Sequence, residues 1–402
     1  MRKNLYVSMF VLLVAVMVLS ACGSAPTTPA STMAPVVQTQ IVPVVVTATP
    51  GPATQTPLPA GSIQVTAAGG TFPLPLYQQW TYAYQYVNPA VVINYNGVGS
   101  GAGKTAIINN TVDFAASDSA LTDQNYTDGK DLQMYPTVAG AVVLAYNIAF
   151  KVPTPAAGAT AVALPKLILN GQTLVDIYNG KVSMWNDPEI VALNPGLSTN
   201  LPAAAITTVH RSDASGTTDI FTHALAAFSA DWKAGADQSV QWPGTTDLGG
   251  KGNAGVAAAV LNTPNSIGYV ELAYALSNSM NFAQMVNKAG KTVTANGASV
   301  NADMADFATI FDNNPKLFAY IPNGGGDGSW PITGYTYFIL HTTSMTDCTK
   351  AQAIVDFIKW AQTDPSAQAA AVKLGYSVLP DAIRAKVLAA LGQVTCNGKP
   401  LQ

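Results

Sequence analysis

The stretch AVVINYNGVGSGAGKTAIINNTVDFAAS, Ala90 to Ser117, decides the fold class. Its first seven residues are rich in β-branched side chains and predict a strand, and TVDFAAS at its end predicts another. Between them lie a glycine-rich loop and a segment that reads as a helix from about Ala102. A strand, a helix and a second strand in direct succession indicate an α/β protein.

The same alternation continues on both sides of this stretch. SIQVTAAG, from Ser62, predicts a strand, and one helical face follows it, formed by Leu76, Trp80, Ala83, Tyr84 and Val87. Further along, the alternation passes through AVVLAYNIAF and a helix after Thr217, then a buried strand at YTYFILHT and a helix at CTKAQAIVDFIKWAQ. With 402 residues, 49% of them hydrophobic, the chain is long enough for two globular domains with real cores rather than one.

Charge is scarce along the whole chain. Charged residues make up 10% of it, and the net charge is -3. A protein that binds a polyanion normally carries basic patches, so this composition argues against nucleic acid as a partner. Any recognition of charge therefore has to be local.

The N-terminus carries an export signal at residues 1–21. Arg2 and Lys3 precede an almost wholly apolar run from Leu5 to Leu19, which is shorter than the roughly 20 residues that a membrane-spanning helix needs. The run ends in Leu-Ser-Ala-Cys, which resembles a bacterial lipobox and implies cleavage before Cys22 with a diacylglyceryl group on its sulfur. The alternative is an ordinary signal peptide with an incidental cysteine.

Residues 22–61 differ sharply in composition from the rest of the chain. They are rich in Thr, Pro, Ala, Val and Gln and carry no charge, and their repeated prolines predict an extended, semi-rigid tether. We therefore expect an exported protein, lipid-anchored to the outer face of the cytoplasmic membrane, in the periplasm or at the cell surface.

Two further cysteines remain, Cys348 and Cys396. An even number of cysteines in an oxidising compartment predicts a disulfide, although two separate buried thiols would give the same count. Neither cysteine has a second cysteine or a histidine at ligand spacing, and the 3 histidines are scattered. We expect neither a metal nor another cofactor.

Three loops rich in glycine or hydroxyl residues each lie between a predicted strand and a predicted helix. They are AGGTFP at Ala68 to Pro73, GVGSGAGKT at Gly97 to Thr105, and RSDASGTTD at Arg211 to Asp219. The first amides of a helix are unpaired and carry a positive partial charge, so such junctions can hold an anion. Each loop taken singly also fits a plain N-cap and turn. Three such loops, one with an arginine, favour an anion site.

Two motifs that would indicate other functions fail. The second loop resembles a Walker A nucleotide loop, but that motif needs glycine where this chain has Val98. No G-x-S-x-G motif of a serine hydrolase occurs either.

Four segments resemble the phosphate-binding proteins of bacterial phosphate ABC transporters, the PstS family. They are AGGTFPLPLYQQW, NYNGVGSGAGKTAIINNTVDFAASDSALTD, VHRSDASGTTDIFTHAL and GGKGNAGVAAAVLNTPNSIGYVELAYA. The resemblance implies a two-lobed α/β fold of the periplasmic-binding-protein type (type II) with the ligand in the cleft. It places lobe 1 at 62–142 and 321–402 and lobe 2 at 143–320. It also implies a monomeric receptor, not an enzyme, that passes inorganic phosphate to a membrane permease.

The phosphate contacts of the family, carried over to the matching positions, fall on Thr71, Phe72, Ser100, Asp118, Arg211, Ser215, Gly216 and Thr217. Hydroxyl and backbone N–H groups donate to an oxyanion, and the guanidinium of Arg211 forms a planar fork suited to a phosphate edge. Asp213 is predicted to orient Arg211, or alternatively to cap a helix. Asp118 is predicted to accept a proton of phosphate that sulfate lacks, or alternatively to cap the helix after SALTD.

The chain departs from the family pattern in both glycine-rich loops. Ala214 replaces the common glycine of the arginine loop and favours a negative φ there, and GSGAG replaces the usual glycine pattern of the second loop. Neither change removes a donor side chain, so these departures bear on the affinity for the ligand and not on its identity.

Other functions fit the sequence less well. A phosphomonoester hydrolase could use the same oxyanion loops, but it needs a nucleophile with a base or a pair of metals, and the sequence offers no such cluster. A receptor for another tetrahedral oxyanion is a second alternative. An adhesion module would explain the tether but not the three loops.

Overall fold

The computed structural model describes residues 61–152, 164–244 and 247–401. The predicted signal peptide, Cys22 and all of the tether but its last residue lie outside the described residues. The strands are β1 (Ile63–Gly69), β2 (Val91–Gly97), β3 (Phe114–Ser117), β4 (Leu132–Asn147), β5 (Ile168–Asn170), β6 (Thr207–Arg211), β7 (Asp247–Gly250), β8 (Ser266–Glu271), β9 (Asn281–Phe282), β10 (Gln284–Val286), β11 (Thr292–Val293), β12 (Thr333–His341), β13 (Ser377–Val378), β14 (Thr395–Cys396) and β15 (Lys399–Pro400).

The helices alternate with these strands along most of the chain. They are α1 (Leu74–Val87), α2 (Ser100–Ile108), α3 (Asp123–Gly129), α4 (Gly171–Tyr178), α5 (Pro188–Leu193), α6 (Gly216–Phe228), α7 (Gly252–Asn262), α8 (Leu272–Ser277), α9 (Gly297–Asp306), α10 (Cys348–Thr363), α11 (Pro365–Lys373) and α12 (Asp381–Leu391). The predicted α/β alternation is therefore confirmed.

The main sheet has the strand order β2-β1-β3-β12-β4-β8-β6-β7. β1 runs parallel to β2 and β3, and β6 runs parallel to β7 and β8. β4 joins the two parts, because its residues 132–141 pair with β12 and its residues 142–147 pair with β8, both antiparallel. We call the strands on the β12 side of β4 the first half-sheet and those on the β8 side the second half-sheet.

Several boundaries differ from the sequence prediction. α2 begins at Ser100 rather than Ala102, because Gly99 adopts φ +98 and its flexible backbone starts the helix earlier. The third strand begins only at Phe114, since Thr111 to Asp113 form a bend. On α1, Val87 is exposed, while Tyr77 joins Leu76, Trp80 and Tyr84 in the core. The packing of α1 against distant parts of the chain, and not the local sequence pattern, decides which of its residues are buried.

The hydrophobic core is rich in large aromatic side chains on the first half-sheet. The Tyr77 ring stacks on Trp80, with centroids 5.6 Å apart, and contacts Phe338 of β12 at 4.6 Å. The Trp80 Nε1 donates to the carbonyl oxygen of Ala367 at 2.8 Å, which ties α1 to α11. Burial of these rings fixes α1 on the sheet and so positions the loop before it.

All three predicted anion loops follow parallel strands at their carboxyl ends. β1 leads to α1, β2 to α2 and β6 to α6, and β7 leads in the same way to α7. In open α/β sheets, ligands bind at the carboxyl ends of the strands, where helix N-termini converge. The fold therefore brings the loops of both half-sheets to one region.

Cys348 and Cys396 form a disulfide between the first residue of α10 and β14. The bond closes a segment with a sequence separation of 48 and holds the small β14–β15 hairpin against the α10 end. Among the residues that the structure describes, none of the helices is sufficiently long and apolar to cross a membrane.

Candidate functional site

The Arg211 guanidinium lies at the centre of the predicted site and is held by Asp213. Nε donates to Oδ1 of Asp213 at 2.8 Å, and Nη2 donates to Oδ2 at 2.5 Å. Only 1% of the Arg211 side chain is exposed. Burial acts to raise the pKa of Asp213, but hydrogen bonding and attraction from Arg211 hold that pKa below its ordinary value. The pair is therefore ionised and the fork is fixed in orientation.

The remaining guanidinium nitrogen faces the start of α6. Arg211 Nη1 donates to Thr217 Oγ1 at 3.3 Å. Ser215 caps this helix, because its Oγ accepts from the Thr218 N–H at 3.1 Å. Asp213 is therefore not the N-cap of α6, but its Oδ1 also accepts from the Gly252 N–H at 3.0 Å at the start of α7, so the carboxylate both holds Arg211 and contacts a helix N-terminus. The first amides of α6, from Gly216 and Thr217, have no partner within the helix and carry its positive partial charge.

The second loop meets the arginine loop directly. Gly101 N donates to the carbonyl oxygen of Ala214 at 3.1 Å, and a Cβ on Gly99 would lie 2.5 Å from Asp213 Oδ2. Ala214 is not among the described residues with positive φ, so its methyl group fits the backbone that the loop adopts. The two half-sheets are therefore in contact at this point.

Asp118 is the carboxylate at the carboxyl end of β3, and it is 2% exposed. Its Oδ1 accepts from Thr336 Oγ1 at 2.7 Å and its Oδ2 from Ser100 Oγ at 3.2 Å. The Asp118 N–H donates back to Ser100 Oγ at 3.1 Å. The cap of α3 is Thr122, so the capping role considered for Asp118 belongs to another residue.

Burial raises the pKa of Asp118 to about 6, although hydrogen bonds from Thr336 and Ser100 and the charge of Arg211 oppose the rise. Asp118 is therefore ionised at neutral pH but gains a proton in mild acid. A buried carboxylate beside an arginine and a helix N-terminus can accept a hydrogen bond from a protonated oxyanion.

The first loop is positioned through its carbonyl groups. The Tyr274 hydroxyl donates to the Thr71 carbonyl oxygen at 2.6 Å, and the Tyr376 hydroxyl donates to that of Phe72 at 2.7 Å. In a planar trans peptide the C=O and the following N–H point in opposite directions. Tyr274 therefore turns the Phe72 N–H away from itself, which leaves this donor for another partner.

Tyr376 also lies 2.9 Å from Oε2 of Glu271, a carboxyl with no exposed surface. One hydroxyl proton serves one acceptor at a time, so a second hydrogen bond at this point requires a proton on Glu271. Burial raises the pKa of Glu271 well above its ordinary value, which agrees with the neutral form.

Asn253, in α7, contacts two of the predicted ligand residues and was not predicted itself. Its Nδ2 donates to Thr71 Oγ1 and to Thr217 Oγ1, both at 3.0 Å. The only sequence signal for it was its place in GGKGNAGV, after a strand and before a helix, as in the three predicted loops. The other residues that the sequence analysis missed, Thr336, Tyr274 and Tyr376, come from distant parts of the chain and gave no local signal.

Lys104, the lysine of the Walker-like segment, has a structural role. Its Nζ donates to Ser119 Oγ at 3.0 Å and to the Ala120 carbonyl oxygen at 2.9 Å. Burial lowers its pKa, against the attraction of Asp219 and other carboxylates. The lysine joins α2 to the segment after β3. This structural role is consistent with the absence of a complete Walker A motif in the sequence.

The chain is similar to known phosphate-binding proteins over most of its length. The profile of the PBP superfamily domain matches residues 46–365. A phosphate-binding protein PstS of Xylella fastidiosa is 40% identical over 79% of this chain and 82% of its own length. A second PstS, from Pasteurella multocida, is 38% identical over 81% of this chain and 89% of its own length.

The fold also matches the solved structure of a phosphate-binding protein. A phosphate-binding protein from Stenotrophomonas maltophilia superimposes with a TM-score of 0.58 over 82% of this chain and 94% of its own, at 20% identity. At that identity the match concerns the fold alone.

Proposed function

Since this chain belongs to the PstS family of phosphate-binding proteins, within the PBP superfamily, we propose that it captures inorganic phosphate outside the cytoplasm and delivers it to an ABC permease for import. One observation carries this proposal. Donors from the ends of β1, β2 and β6 converge with the buried carboxylate of Asp118, in a region where the carboxylate of Asp213 is taken up in holding Arg211. Several donors with one acceptor are what a hydrogen phosphate ion requires.

The site residues of this receptor are Thr71, Phe72, Ser100, Asp118, Arg211, Ser215, Gly216 and Thr217, with Asp213 holding the arginine. Their support is their shared position at strand ends and helix starts. We also propose that lobe 1 comprises 62–142 and 321–402 and lobe 2 comprises 143–320. The change of partner within β4, from Thr333 at Ala141 to Glu271 at Val142, supports the first boundary.

The protein is exported and held by a lipid on Cys22 in this proposal, with its permease in the same membrane. The support is the lipobox-like sequence and the uncharged tether. Expression of the full chain and of a Cys22→Ser variant in a bacterial host tests it. We expect membrane association and a lipid-modified N-terminus only with Cys22.

Calorimetric titration of the purified protein with phosphate and with sulfate tests the function. The proposal expects one phosphate per chain with much weaker sulfate binding. Equal binding of both anions would favour the alternative receptor for another tetrahedral oxyanion. Hydrolysis of a chromogenic phosphate ester by clean protein would favour the hydrolase, for which the described residues offer no group of three or more metal-ligating side chains.

A further inference from the structure

The hydroxyl groups of Thr71 and Thr217 have all their accepting positions filled by nitrogen donors. Thr71 Oγ1 accepts from Asn253 N at 3.1 Å and from Asn253 Nδ2 at 3.0 Å. Thr217 Oγ1 accepts from Arg211 Nη1 at 3.3 Å and from Asn253 Nδ2 at 3.0 Å. A hydroxyl has two lone pairs and one proton, so each of these groups is left only with its proton to offer.

The orientation of the Asn253 amide is fixed by its third partner. Its Oδ1 accepts from the Glu271 N–H at 2.9 Å, so the two protons of Nδ2 must point toward the two threonines. The residue has no exposed surface, and a flipped amide would place Nδ2 against a donor. The backbone of Glu271 therefore determines which way the amide donates.

We propose that Asn253 is a positioning residue that makes the hydroxyls of Thr71 and Thr217 obligatory donors to the bound anion. This inference rests on the proposed phosphate site and adds a function for a residue outside it. An unpolarised hydroxyl can present either a lone pair or a proton to a ligand. With Asn253 in place, both hydroxyls present protons, and the carboxylate of Asp118 is left as the acceptor for the proton of phosphate.

Asn253 also connects the two half-sheets. Thr71 follows β1 of the first half-sheet, whereas Asn253 and Thr217 belong to helices that follow β7 and β6 of the second. Its hydrogen bonds to Thr71 exist only when the two sides are together. Asn253 therefore fixes the direction in which the Thr71 and Thr217 hydroxyls donate when the two half-sheets are together around the anion.

Replacement of Asn253 by alanine and by aspartate tests the proposal. Asn253→Ala removes the two side-chain donors, and we expect phosphate affinity to fall by roughly 10- to 100-fold. Asn253→Asp reverses the polarity, because an ionised carboxylate makes both hydroxyls donate to it, so the loss should be greater than with alanine. Protonation of the new carboxyl should reduce that loss as the pH falls, relative to the parent protein at each pH.

Asn287→Ala is the matched control. Asn287 is also a buried asparagine, and the two protons of its Nδ2 are shared among the carbonyl oxygens of Gly326, Asp327 and Ser329, outside the site. We expect this variant to lose stability but to keep the phosphate affinity of the parent. A general loss of packing would instead weaken binding in both alanine variants.

A double variant separates polarity from simple packing. In a Thr71→Val, Thr217→Val background there is no hydroxyl to orient, so Asn253→Ala should cause little further loss of affinity. The inference is overturned if Asn253→Ala binds as the parent does, or if aspartate is no worse than alanine at neutral pH. The proposed function fails separately, if the parent protein itself does not bind phosphate.

Discussion

Asp118 and Gly216 approach each other so closely that a Cβ on Gly216 would lie 2.5 Å from the Asp118 Cβ atom. Asp118 directly follows β3 in the first half-sheet, and Gly216 is the first residue of α6, which belongs to the second half-sheet. Only glycine allows this approach, because any other residue would overlap the aspartate. The acceptor and the positive end of a helix are thereby brought to one point, and each prediction below concerns that region.

Arg211→Ala should weaken phosphate binding by about 2–5 kcal/mol, because the anion would be buried without a countercharge. Arg211→Lys should also weaken binding. The guanidinium donates from two nitrogens to Asp213, which fixes its orientation, and an ammonium group cannot reproduce this planar two-point contact. Calorimetry on both variants measures the effect, with circular dichroism as the check on folding. Near-parental affinity in the alanine variant would place the ligand elsewhere.

Asp118→Asn should reduce the discrimination between phosphate and sulfate while the fold persists. An amide can donate as well as accept, so the repulsion of a fully ionised anion disappears. The parent should show a related pH effect. Since burial raises the pKa of Asp118 to about 6, its carboxyl gains a proton below that pH, and sulfate should then bind better.

The ratio of sulfate to phosphate dissociation constants, measured from pH 8 to pH 5, checks both effects. We expect the ratio to fall with pH in the parent and to stay small in Asp118→Asn. Undiminished rejection of sulfate by the variant would remove Asp118 as the selectivity residue.

Gly101→Ala should weaken phosphate binding without touching a proposed ligand donor. A Cβ on Gly101 would lie 2.6 Å from the Ala214 Cβ atom, across the contact between the half-sheets. The added methyl should hold the two sides apart and disfavour the closed state. Small-angle scattering should show compaction of the parent on adding phosphate and less compaction of the variant. An equal change in radius would mean that this contact does not limit closure.

Asp219→Asn should flatten the pH dependence of stability in mild acid. Asp219 is 3% exposed and accepts from the Tyr320 hydroxyl at 2.7 Å, and burial raises its pKa to about 6 despite the opposing effects of His223 and Tyr320. A carboxyl whose folded pKa is raised contributes stability that is fully present below its unfolded pKa, about 4, and is lost as the pH rises through about 6.

Between pH 5 and pH 7 the free energy of unfolding should therefore fall more steeply in the parent than in Asp219→Asn, by roughly 1 kcal/mol. Denaturant unfolding without phosphate at the two pH values measures the difference. If the free energy of unfolding falls equally in both proteins, ionisation of Asp219 does not destabilise the folded state.

Replacing Cys348 and Cys396 together with serine should lower the free energy of unfolding by about 2–5 kcal/mol, because the cross-link restricts the unfolded chain. Phosphate affinity should stay within about twofold of the parent's, since none of the proposed ligand residues lies in α10 or the β14–β15 hairpin. Chemical denaturation and calorimetry on the same samples check the two expectations. A large loss of affinity would connect this end of the chain to the site.

The sequence by itself determined the features that depend on near neighbours. Short stretches of sequence predict the α/β alternation and the three loops between strands and helices. They also predict the pairing of Arg211 with Asp213, which lies two residues away. Helix starts and tight turns depend on the residues at those positions, because capping groups and glycine act over one turn of chain. The family resemblance supplied the predicted ligand residues.

Only the tertiary structure decided how these loops act on one another. Asn253 reaches Thr71 across 182 residues, Thr336 reaches Asp118 across 218, and Tyr376 reaches Phe72 across 304. Such partners follow from strand order and from the packing of whole helices, which no local pattern encodes. The raised pKa of Asp118 has the same origin, because a carboxyl loses its water only when distant parts of the chain close over it.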